Sequence, residues 1–521
     1  MTALHHDRIV VLDFGSQYTH LIVRSIRELG VYAEILPHDT PVKELKEQSI
    51  KGFILSGGPR SVYEKEGYHL PKGWFDWQKE SGIPVLGICY GLQLIGHALG
   101  GKVTAVDSKE YGFQTLKVKK GSRLLAALSA EEQVWMSHGD QVDKLPSGFK
   151  AIASTETCPV AAVENLERGI YGVQFHPEVI HTKRGIEVLR TFVLDICGCK
   201  PTWRMEDFIS ETIQELKAEI GDEKVIMGVS GGVDSTVAAL LLQQAIGDQL
   251  HCVLVDIGLM RSGEIDWVTK ELTPLLTHFH VVDASELFLS QLEGVVDPEE
   301  KRHIIASAFI EVFQHTAIEL EEKYGQFTYL GQGTINPDRI ESGATSSSSA
   351  RIKSHHNVTL PEALHLKVVE PLHLLYKDEV RAVGRKLGLS ANFIRRHPFP
   401  GPALAVRIVG EVTAEKLRIV READTILTEE LERAGVYEEI WQAFAAFLPV
   451  QSVGVMGDER TFEYAIALRA VVSRDAMTAR AYRFDWELLE RIGTRIINEV
   501  KGVNRVFYDI SSKPPSTIEL L

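Results

Sequence analysis

The chain has 521 residues and a formal net charge of −15, with 44% hydrophobic and 24% charged residues. That length predicts three or four domains of roughly 100 to 200 residues each, and the residue balance excludes a disordered or collagen-like chain. Because nonspecific binding to nucleic acid or lipid draws on summed basic charge, the net negative charge argues against both partners but leaves a local basic pocket possible.

The first residues of the chain lead directly into the short apolar run Ile9–Leu12, without the basic and long apolar regions of a signal peptide. No window reaches the roughly 18 to 20 apolar residues of a membrane-spanning helix. We therefore expect a soluble, cytoplasmic protein. The 5 cysteines are an odd, scattered set, too sparse for a disulfide scaffold in a chain this long.

The first two hundred residues alternate short β-branched runs with amphipathic stretches. Ile9–Leu12, Phe53–Leu55 and Pro84–Ile88 have the pattern of buried strands, and Tyr18–Leu29 and Tyr90–Leu99 that of helices. This alternation predicts an α/β domain with a parallel sheet covered by helices.

The pattern breaks at Cys197–Pro201, where a glycine and a proline interrupt a helix-like stretch. It restarts with the predicted helix Met205–Ile220, the strand Lys224–Val229, the helix Ser235–Ile246 and the strand His251–Asp256. We therefore expect a second parallel-sheet α/β domain beginning near residue 201.

Two later stretches interrupt the second domain. Ser342–Asn357 is rich in serine and has no amphipathic period, which predicts a surface loop of the kind that often forms a lid. His397–Pro402 holds three prolines and cannot be helical, so we place a boundary there, before a small α+β region. The predicted domains are residues 1–200, 201–401 and 402–521.

Gly87–Gly91 has the Gly-x-nucleophile-x-Gly pattern of a nucleophile elbow, with Cys89 as the nucleophile. A cysteine between a strand and a helix N-terminus is favoured as the thiolate, because the helix dipole stabilises negative charge there. A lone cysteine is more often a buried structural residue, and we expect that role of the other cysteines, which are Cys158, Cys197, Cys199 and Cys252.

A thiolate nucleophile needs a base and a group that orients the base. His176 and Glu178 follow the strand-like run Gly169–Phe175, and side chains two apart in an extended segment project to the same side. His138, in the tetrapeptide Ser137–Asp140, is a rival base. The carboxylate beside His176 favours His176 as base and Glu178 as its orienting group.

Acyl chemistry also needs donors for the developing oxyanion, which the backbone N–H groups of Gly58 and Tyr90 could supply. With the elbow and the His-x-Glu pair, this pattern resembles the class I glutamine amidotransferases over the first 195 residues. The resemblance implies that glutamine is hydrolysed through a thioester on Cys89, that Gln93 lies near the substrate amide, and that ammonia is passed on.

A second group of candidate functional residues follows the predicted apolar strand at Val225. A glycine-rich loop leads into a helix, an arrangement whose backbone N–H groups can hold phosphate oxygens. The loop lacks both the Walker A lysine and the Gly-x-Gly-x-x-Gly spacing, which argues against a kinase or a dehydrogenase. A plain glycine-rich turn with a serine cap is the alternative. The loop residues are Ser230, Gly231, Gly232, Val233, Asp234 and Ser235.

Ser-Gly-Gly-x-Asp-Ser resembles the loop of the ATP pyrophosphatases, which have the adenine nucleotide α-hydrolase-like fold. The resemblance implies that ATP adenylylates a substrate oxygen and releases pyrophosphate, with Asp234 as a possible Mg²⁺ ligand. Further segments resemble the GMP synthetase family, so that the likeness spans nearly the whole chain. They are Asp256–Arg261, Asp297–Arg302, Gly331–Asp338, Ile352–Asn357, Glu370–Leu372, Lys377–Val380, His397–Gly401, Gln451–Asp458 and Lys513–Glu519.

The resemblance implies ATP with Mg²⁺, no organic prosthetic group, a homodimer formed by the C-terminal domain, and a second substrate, xanthosine monophosphate (XMP). A nucleotide phosphate favours Arg or Lys, and a purine edge favours a carboxylate or an amide. His355 and His356 lack a zinc-ligand set, which leaves a lid segment with Lys353 as a possible phosphate contact. The implied XMP contacts are Arg302, Arg407, Gln451, Lys513, Ile518 and Glu519.

Two other functions stay open at this point. One is a different glutamine-dependent adenylylating ligase such as an NAD synthetase, although the glutaminase of that family resembles nitrilases and uses a Glu-Lys-Cys set. The other is a sensor or scaffold with an inactive amidotransferase-like domain. The complete set of Cys89, His176 and Glu178 favours an enzyme.

Overall fold

The structure is a computed structural model that describes residues 6–46, 49–64, 67–341, 366–456, 458–473 and 478–521. The predicted lid Ser342–Asn357, with Lys353, lies outside these residues. Among the described residues, a first compact unit ends at Glu211 and a second begins at Thr212. Within these ranges, no helix is both long enough and apolar enough to span a membrane.

The first unit is built on one mixed sheet. Its strands are β1 Arg8–Asp13, β2 Tyr32–Pro37, β3 Ile50–Leu55, β4 Val85–Ile88, β5 Lys102–Val118, β6 Glu131–Lys144, β7 Lys150–Ser154, β8 Ala162–Asn165 and β9 Ile170–Val173. They lie in the order β2-β1-β3-β4-β9-β8-β7-β5-β6. The half from β2 to β9 is parallel, as predicted, and its strands are buried runs rich in Val and Ile. The remaining half is antiparallel and was not predicted.

Helices cover the parallel half of this sheet. They are α1 Thr19–Glu28, α2 Val42–Lys46, α3 Trp74–Ser81, α4 Tyr90–Ala98 and α5 Gly185–Arg190, followed by a π-helical turn at Thr191–Ile196. The aromatic rings of Phe53, Trp74 and Trp77 meet edge to face beneath α3, with ring centroids 5.2 to 6.0 Å apart. These side chains belong to the apolar core that holds β3 and β4 in place.

The chain just after the predicted boundary at Pro201 still packs on the first unit. Trp203 is buried, its ring centroid lies 4.9 Å from that of Tyr32, and its backbone N–H donates to the carbonyl of Gly30 at 2.8 Å. Helix α6 Met205–Ile220 then runs across the boundary between the two units. The division into residues 1–200, 201–401 and 402–521 stays a prediction.

The second unit contains a parallel sheet. Its strands are β10 Val225–Gly228, β11 Leu250–Asp256, β12 His278–Asp283, β13 Tyr329–Gly331 and β14 Lys367–Val369, in the order β12-β11-β10-β13-β14. From β10 the chain adds β11 and β12 on one side of the sheet, and it then crosses over to add β13 and β14 on the other side. The carboxyl end of β10 is therefore a topological switch point, where open parallel sheets bind ligands.

Helices of the second unit flank this sheet and lead into the C-terminal region. They are α7 Val233–Ile246, α8 Glu264–Leu272, α9 Ser285–Gln291, α10 Pro298–Tyr324, α11 Asn336–Glu341, α12 Lys377–Lys386, α13 Ala391–Ile394, α14 Ala414–Arg433 and α15 Trp486–Glu499. Short 3-10 turns occur at Gly247–Gln249, Ala403–Arg407 and Tyr437–Glu439. Helix α10 begins with Pro298 in its first turn and with the Asp297 carboxylate accepting from the N–H of Glu300, a typical N-cap.

The C-terminal region forms its own sheet but shares a core with the rest of the second unit. Its strands are β15 Gln442–Met456, β16 Glu459–Val472, β17 Arg480–Ala481 and β18 Val503–Asp509. Strands β15 and β16 form a long hairpin, and β18 pairs in parallel with β16. Phe447 and Ile466 of this sheet belong to the same apolar cluster as Ile226 and Phe313. The predicted fold class, parallel α/β sheets followed by a smaller α+β region, is confirmed.

Candidate active sites

Cys89 occupies a strained turn between β4 and α4. Its backbone has φ 51° and ψ −103°, a conformation that non-glycine residues rarely adopt and that commonly marks a functional site. A Cβ atom on Gly87 would lie 2.5 Å from the backbone of Gly91, and one on Gly91 would lie 2.3 Å from the carbonyl oxygen of Leu55. Both glycines are therefore required for the strand, turn and helix to pack this closely.

His176 and Glu178 form a buried pair next to Cys89. The Nδ1 atom of His176 lies 2.7 Å from Oε1 of Glu178, and their side chains are 4% and 0% exposed. The extended geometry expected from the sequence is wrong, because β9 ends at Val173 and the His-Pro-Glu segment follows as a turn. A turn also brings two side chains together, and the predicted pairing is present.

The environment of His176 favours its protonated form. Burial alone lowers the pKa of His176, but the charge of Glu178 and hydrogen bonds with Cys89 and Glu178 outweigh it and raise the pKa well above the ordinary value. The sulfur of Cys89 also lies 3.6 Å from Nε2 of Gln174 and 3.6 Å from the carbonyl oxygen of Ser137. A protonated imidazole beside the sulfur can stabilise a thiolate and later donate a proton.

The predicted oxyanion and glutamine residues surround the same turn. A Cβ atom on Gly58 would lie 3.2 Å from the ring of Tyr90, so these two residues are in close contact. Tyr90 begins α4, where backbone N–H groups have no partner within the helix. Gln93 lies one turn further along α4, and its Nε2 donates to the carbonyl oxygen of Asp140 at 2.8 Å.

His138, the rival base, belongs to a different cluster. Its Nε2 lies 3.0 Å from the Glu110 carboxylate, and its Nδ1 lies 3.0 Å from the carbonyl oxygen of Asp140. Glu110 also accepts hydrogen bonds from the hydroxyls of Thr155 and Thr157. The sequence did not single out Glu110 or the threonines, because strand pairing brings them together from positions up to 47 residues apart.

The predicted phosphate loop lies at the switch point, between β10 and α7. The hydroxyl of Ser235 accepts from the N–H of Ser230 at 3.2 Å, and the hydroxyl of Ser230 accepts from the N–H of Gly232 at 3.3 Å. Gly231 has φ 74°, and a Cβ atom there would lie 2.8 Å from Val268. Hydrogen bonds to its own serine hydroxyls therefore fix the conformation of the loop in front of the N-terminus of α7.

The loop forms one wall of a cavity of about 480 Å³, which all six predicted residues from Ser230 to Ser235 line. Basic side chains without a predicted role line it too: Lys377, Arg381 and Arg396. Burial lowers the pKa of Arg396 to about 10, with the charge of Arg261 adding to the effect. Lys377 lies in a segment that resembles the GMP synthetase family, but a single lysine in a sequence does not indicate a function.

Asp234 carries one oxygen that suits a cation. Its Oδ2 accepts from Nζ of Lys377 at 2.6 Å. Its Oδ1 is buried and has no hydrogen-bond partner within the described residues. A carboxylate oxygen without a donor is the type of ligand that Mg²⁺ prefers, so the residue present fits the predicted Mg²⁺ role.

The predicted XMP residues Arg407 and Glu519 contact each other. The guanidinium of Arg407 is fully buried, donates from Nε and Nη2 to the Glu519 carboxylate at 3.2 and 3.0 Å, and lies 4.3 Å from the ring centroid of Phe444. Gln442, which the sequence did not single out, donates to the same carboxylate at 2.6 Å. Arg302 donates to the backbone oxygen of Leu521 at 2.7 Å.

The C-terminal tail brings most of these residues together. Arg469, not predicted, is fully buried and donates to the backbone oxygens of Ser511 at 2.6 Å and Thr517 at 3.0 Å. Ile518 of the same tail is buried in a small apolar cluster with residues of β15 and β16. Lys513 pairs through its backbone with Ala479, and Gln451 is exposed on β15 next to a bulge.

Comparison with known proteins covers the whole chain. Residues 10–196 match the family model described as glutamine amidotransferase class-I, residues 202–270 match NAD synthase, and residues 429–520 match the GMP synthase C terminal domain. A glutamine-hydrolysing GMP synthase of Aquifex aeolicus is 53% identical over 512 residues, covering 98% of this chain and 99% of its own length. The corresponding protein of Symbiobacterium thermophilum is 51% identical over 519 residues, with the same coverage.

Proposed function

This chain belongs to the family of glutamine-hydrolysing GMP synthases, and on that premise we propose that two sites divide one reaction between them. Glutamine hydrolysis at Cys89 supplies ammonia. At the Ser230–Ser235 loop, ATP adenylylates XMP, and ammonia displaces AMP to give GMP. Glutamate and pyrophosphate are the other products.

The observation that carries the first half of this proposal is the buried contact of Cys89 with the His176–Glu178 pair. The Cys89 thiolate attacks the amide carbon of glutamine, and the backbone N–H groups of Gly58 and Tyr90 stabilise the oxyanion. Protonated His176 donates its proton to the departing ammonia. It then takes a proton from the water that hydrolyses the thioester, while Glu178 holds the imidazole in position.

At the second site, the chain's residues hold ATP while the purine oxygen of XMP attacks its α-phosphate. The N–H groups and serine hydroxyls of the Ser230–Ser235 loop bind the departing pyrophosphate. Asp234 would hold Mg²⁺, which when bound offsets the negative charge of the phosphates. The adenylyl ester turns the poor leaving group at purine C2 into AMP, which ammonia displaces.

XMP would be bound by residues that meet at the C-terminal tail together with Gln451 of β15. Arg302, Arg407 and Lys513 offer positive charge for the phosphate, and Glu519 and Gln451 offer acceptors and an amide for the purine edge. Support comes from the contacts that group Arg302, Arg407 and Glu519 around the tail.

The alternative of an NAD synthetase is not supported. The NAD synthase model matches only residues 202–270, within the ATP-binding part, whereas the end of the chain matches GMP synthase. The glutaminase part matches the model of the class I amidotransferases.

The decisive experiment measures pyrophosphate release with ATP and a panel of acceptors: XMP, IMP, nicotinic acid adenine dinucleotide and none. Glutamine or ammonium chloride serves as the nitrogen source. We expect XMP to be the one acceptor of this panel that supports turnover, with GMP and pyrophosphate formed in equal amounts. Turnover with another acceptor, or none with XMP from either nitrogen source, would contradict the proposal.

We also propose a cytoplasmic homodimer that pairs through the C-terminal sheet. Val453 and Phe462 lie opposite each other on β15 and β16 and are 54% and 63% exposed, which is unusual for neighbouring large apolar side chains. Sedimentation of the wild type and of Phe462→Glu tests this proposal. We expect a dimer that the substitution dissociates, and a wild-type monomer at all concentrations would refute it.

A further inference from the structure

The tetrapeptide Ser137–Asp140 on β6 borders the proposed glutamine site. The sulfur of Cys89 lies 3.6 Å from the carbonyl oxygen of Ser137, and Nε2 of Gln93 donates to the carbonyl oxygen of Asp140. The carboxylate of Asp140 accepts from the hydroxyl of Ser61, in the loop that follows Gly58. This short stretch of β6 therefore contacts the nucleophile, the helix behind it and the oxyanion loop.

Glu110 supports this tetrapeptide from the interior through its contact with His138. Their side chains are 2% and 1% exposed, with 3.0 Å between the His138 Nε2 and the Glu110 Oε2. On the other side of the ring, His138 Nδ1 lies 3.0 Å from the same Asp140 carbonyl oxygen that Gln93 contacts. One carbonyl oxygen thus joins the buried pair to Gln93.

Oxygen atoms face both ring nitrogens of His138. A carbonyl oxygen only accepts hydrogen bonds, so Nδ1 must carry a hydrogen. Burial raises the pKa of Glu110, but hydrogen bonds from His138, Thr155 and Thr157 outweigh it and hold that pKa below its ordinary value. With the Asp140 carbonyl oxygen at Nδ1 and the Glu110 carboxylate at Nε2, both ring nitrogens of His138 are engaged, and neither is available as the base for Cys89.

The same reasoning fixes the amide of Gln93. Its Nε2 has two acceptors, the Asp140 carbonyl oxygen at 2.8 Å and Oε1 of Gln174 at 3.4 Å, which use both of its N–H groups. The remaining polar atom of the side chain is its carbonyl oxygen. That atom can only accept a hydrogen bond, and the donors that free glutamine offers are the N–H groups of its α-ammonium and its amide.

We propose that the buried Glu110–His138 pair is a positioning pair for glutamine binding. It holds the Asp140 carbonyl in place, so that Gln93 presents its own carbonyl oxygen to an N–H group of the bound glutamine. The pair does not touch the reacting atoms and acts through Asp140 and Gln93. This inference rests on the proposed glutaminase function of Cys89.

Glu110→Gln tests the pair with little change in side-chain shape. The amide has one acceptor oxygen where the carboxylate has two, so the threonine hydroxyls and His138 can no longer both donate to it, and the ring of His138 loses its support at Nε2. We expect the KM for glutamine in glutamine-dependent GMP synthesis to rise about 10- to 100-fold, with a smaller change in kcat. GMP synthesis from ammonium chloride should be unchanged, because it does not use the glutamine site.

Two comparisons separate positioning from a general loss of stability. Glu164→Gln alters another carboxylate of the first unit that is 5% exposed and accepts from the N–H of Arg123 at 3.1 Å, and it should leave the KM unchanged. His138→Asn keeps a donor near the position of Nδ1 and should stay within about threefold of the wild-type KM, whereas His138→Ala should behave like Glu110→Gln.

The chemical state of Cys89 gives an independent readout. The reaction of Cys89 with iodoacetamide needs no glutamine pocket, so its rate in Glu110→Gln should match that of the wild type. Inactivation by 6-diazo-5-oxo-L-norleucine, a glutamine analogue, should slow about 10-fold or more. Equal KM values for Glu110→Gln and Glu164→Gln, with equal inactivation rates, would overturn the positioning role. A wild-type protein that hydrolyses no glutamine would instead refute the proposed function.

Discussion

The two candidate sites differ in how complete they are before a substrate binds. Around Cys89, the proposed nucleophile, base and orienting carboxylate already contact one another and are buried. Around the Ser230–Ser235 loop, an oxygen of Asp234 and Nε of Arg381 are buried without a partner in the described part of the chain. At the first site Oε2 of Glu178 is likewise buried without a hydrogen-bond partner in the described residues, but the chain itself supplies the partners of Cys89 and His176. At the loop, the residues with unpartnered atoms line the cavity that a ligand would fill.

The residues proposed to bind XMP differ from both sites, because two of them already form an ion pair with each other. Arg407 is fully buried and donates from Nε and Nη2 to Glu519, a residue proposed to bind the same ligand, while its Nη1 has no hydrogen-bond partner in the described residues. An ion pair of this kind must be rearranged or extended when a phosphate arrives, since a buried charge cannot be left without a partner. The three regions therefore predict different responses to substitution, and the responses should decrease in this order.

The largest effect is expected at the complete site. Cys89→Ala removes the only atom that can form the thioester, so glutamine-dependent GMP synthesis should fall by about 10⁴-fold or more. Synthesis from ammonium chloride should stay within about twofold of the wild type. Initial rates with each nitrogen source check both statements, and loss of both activities would mean that the two sites are not separable.

Asp234→Ala removes a carboxylate from the second site, at the Ser230–Ser235 loop. Losing the proposed Mg²⁺ ligand should reduce synthesis from glutamine and from ammonium chloride alike, by about 10³-fold, because both need ATP. Glutamine hydrolysis at Cys89 should continue, and its rate is measured as glutamate formed. Asp248→Ala, which alters an aspartate in the 3-10 turn after α7, is the control and should leave all three rates unchanged.

How much of each site the sequence predicts follows from how local its signals are. Cys89 and the Ser230–Ser235 loop are each set by one strand, one turn and one helix, so a spacing pattern identifies them. Glu110, Arg469 and Gln442 act through partners 28 to 77 residues away, and no spacing pattern encodes such contacts. Strand pairing and the path of the tail bring these residues together, and both are properties of the whole fold.

The His-Pro-Glu segment shows the same limit on a smaller scale. The pairing of His176 with Glu178 is present, but the reason given for it, an extended strand, is wrong because the segment is a turn. Two residues separated by one position can meet in either conformation. Sequence spacing alone therefore predicted the contact without determining the backbone that produces it.

Glu178→Gln tests the role of charge at the site around Cys89. Without the carboxylate the pKa of His176 should fall, so less of the imidazolium that stabilises the thiolate is present near neutral pH. We expect glutamine hydrolysis to decrease about 10²-fold while ammonium-dependent synthesis is retained. An undiminished rate would show that Glu178 does not assist His176.

The same substitution should alter stability in a pH-dependent way. Because the pKa of His176 is raised in the folded protein, its contribution to stability is fully present below pH ~6.5, the ordinary histidine pKa, and is lost as pH rises through the raised value. Glu178→Gln should therefore cost about 2 to 4 kcal/mol at low pH and less at high pH. Thermal unfolding of the first unit at pH 6 and pH 9 measures this difference, and a cost that grows with pH would contradict the assignment.

The smallest effect is expected at the Arg407–Glu519 pair, and there its direction decides between two roles. If Glu519 accepts hydrogen bonds from the purine edge, Glu519→Gln weakens one charge-assisted contact and raises the KM for XMP about tenfold, with the KM for ATP unchanged. If Glu519 instead competes with the XMP phosphate for Arg407, the same substitution frees the guanidinium and lowers the KM for XMP. We expect the increase, because the carboxylate also accepts from Gln442 and is held next to Arg407 by the tail. Glu432→Gln, which removes a partner of Arg395 in a surface ion pair, is the control and should change neither KM.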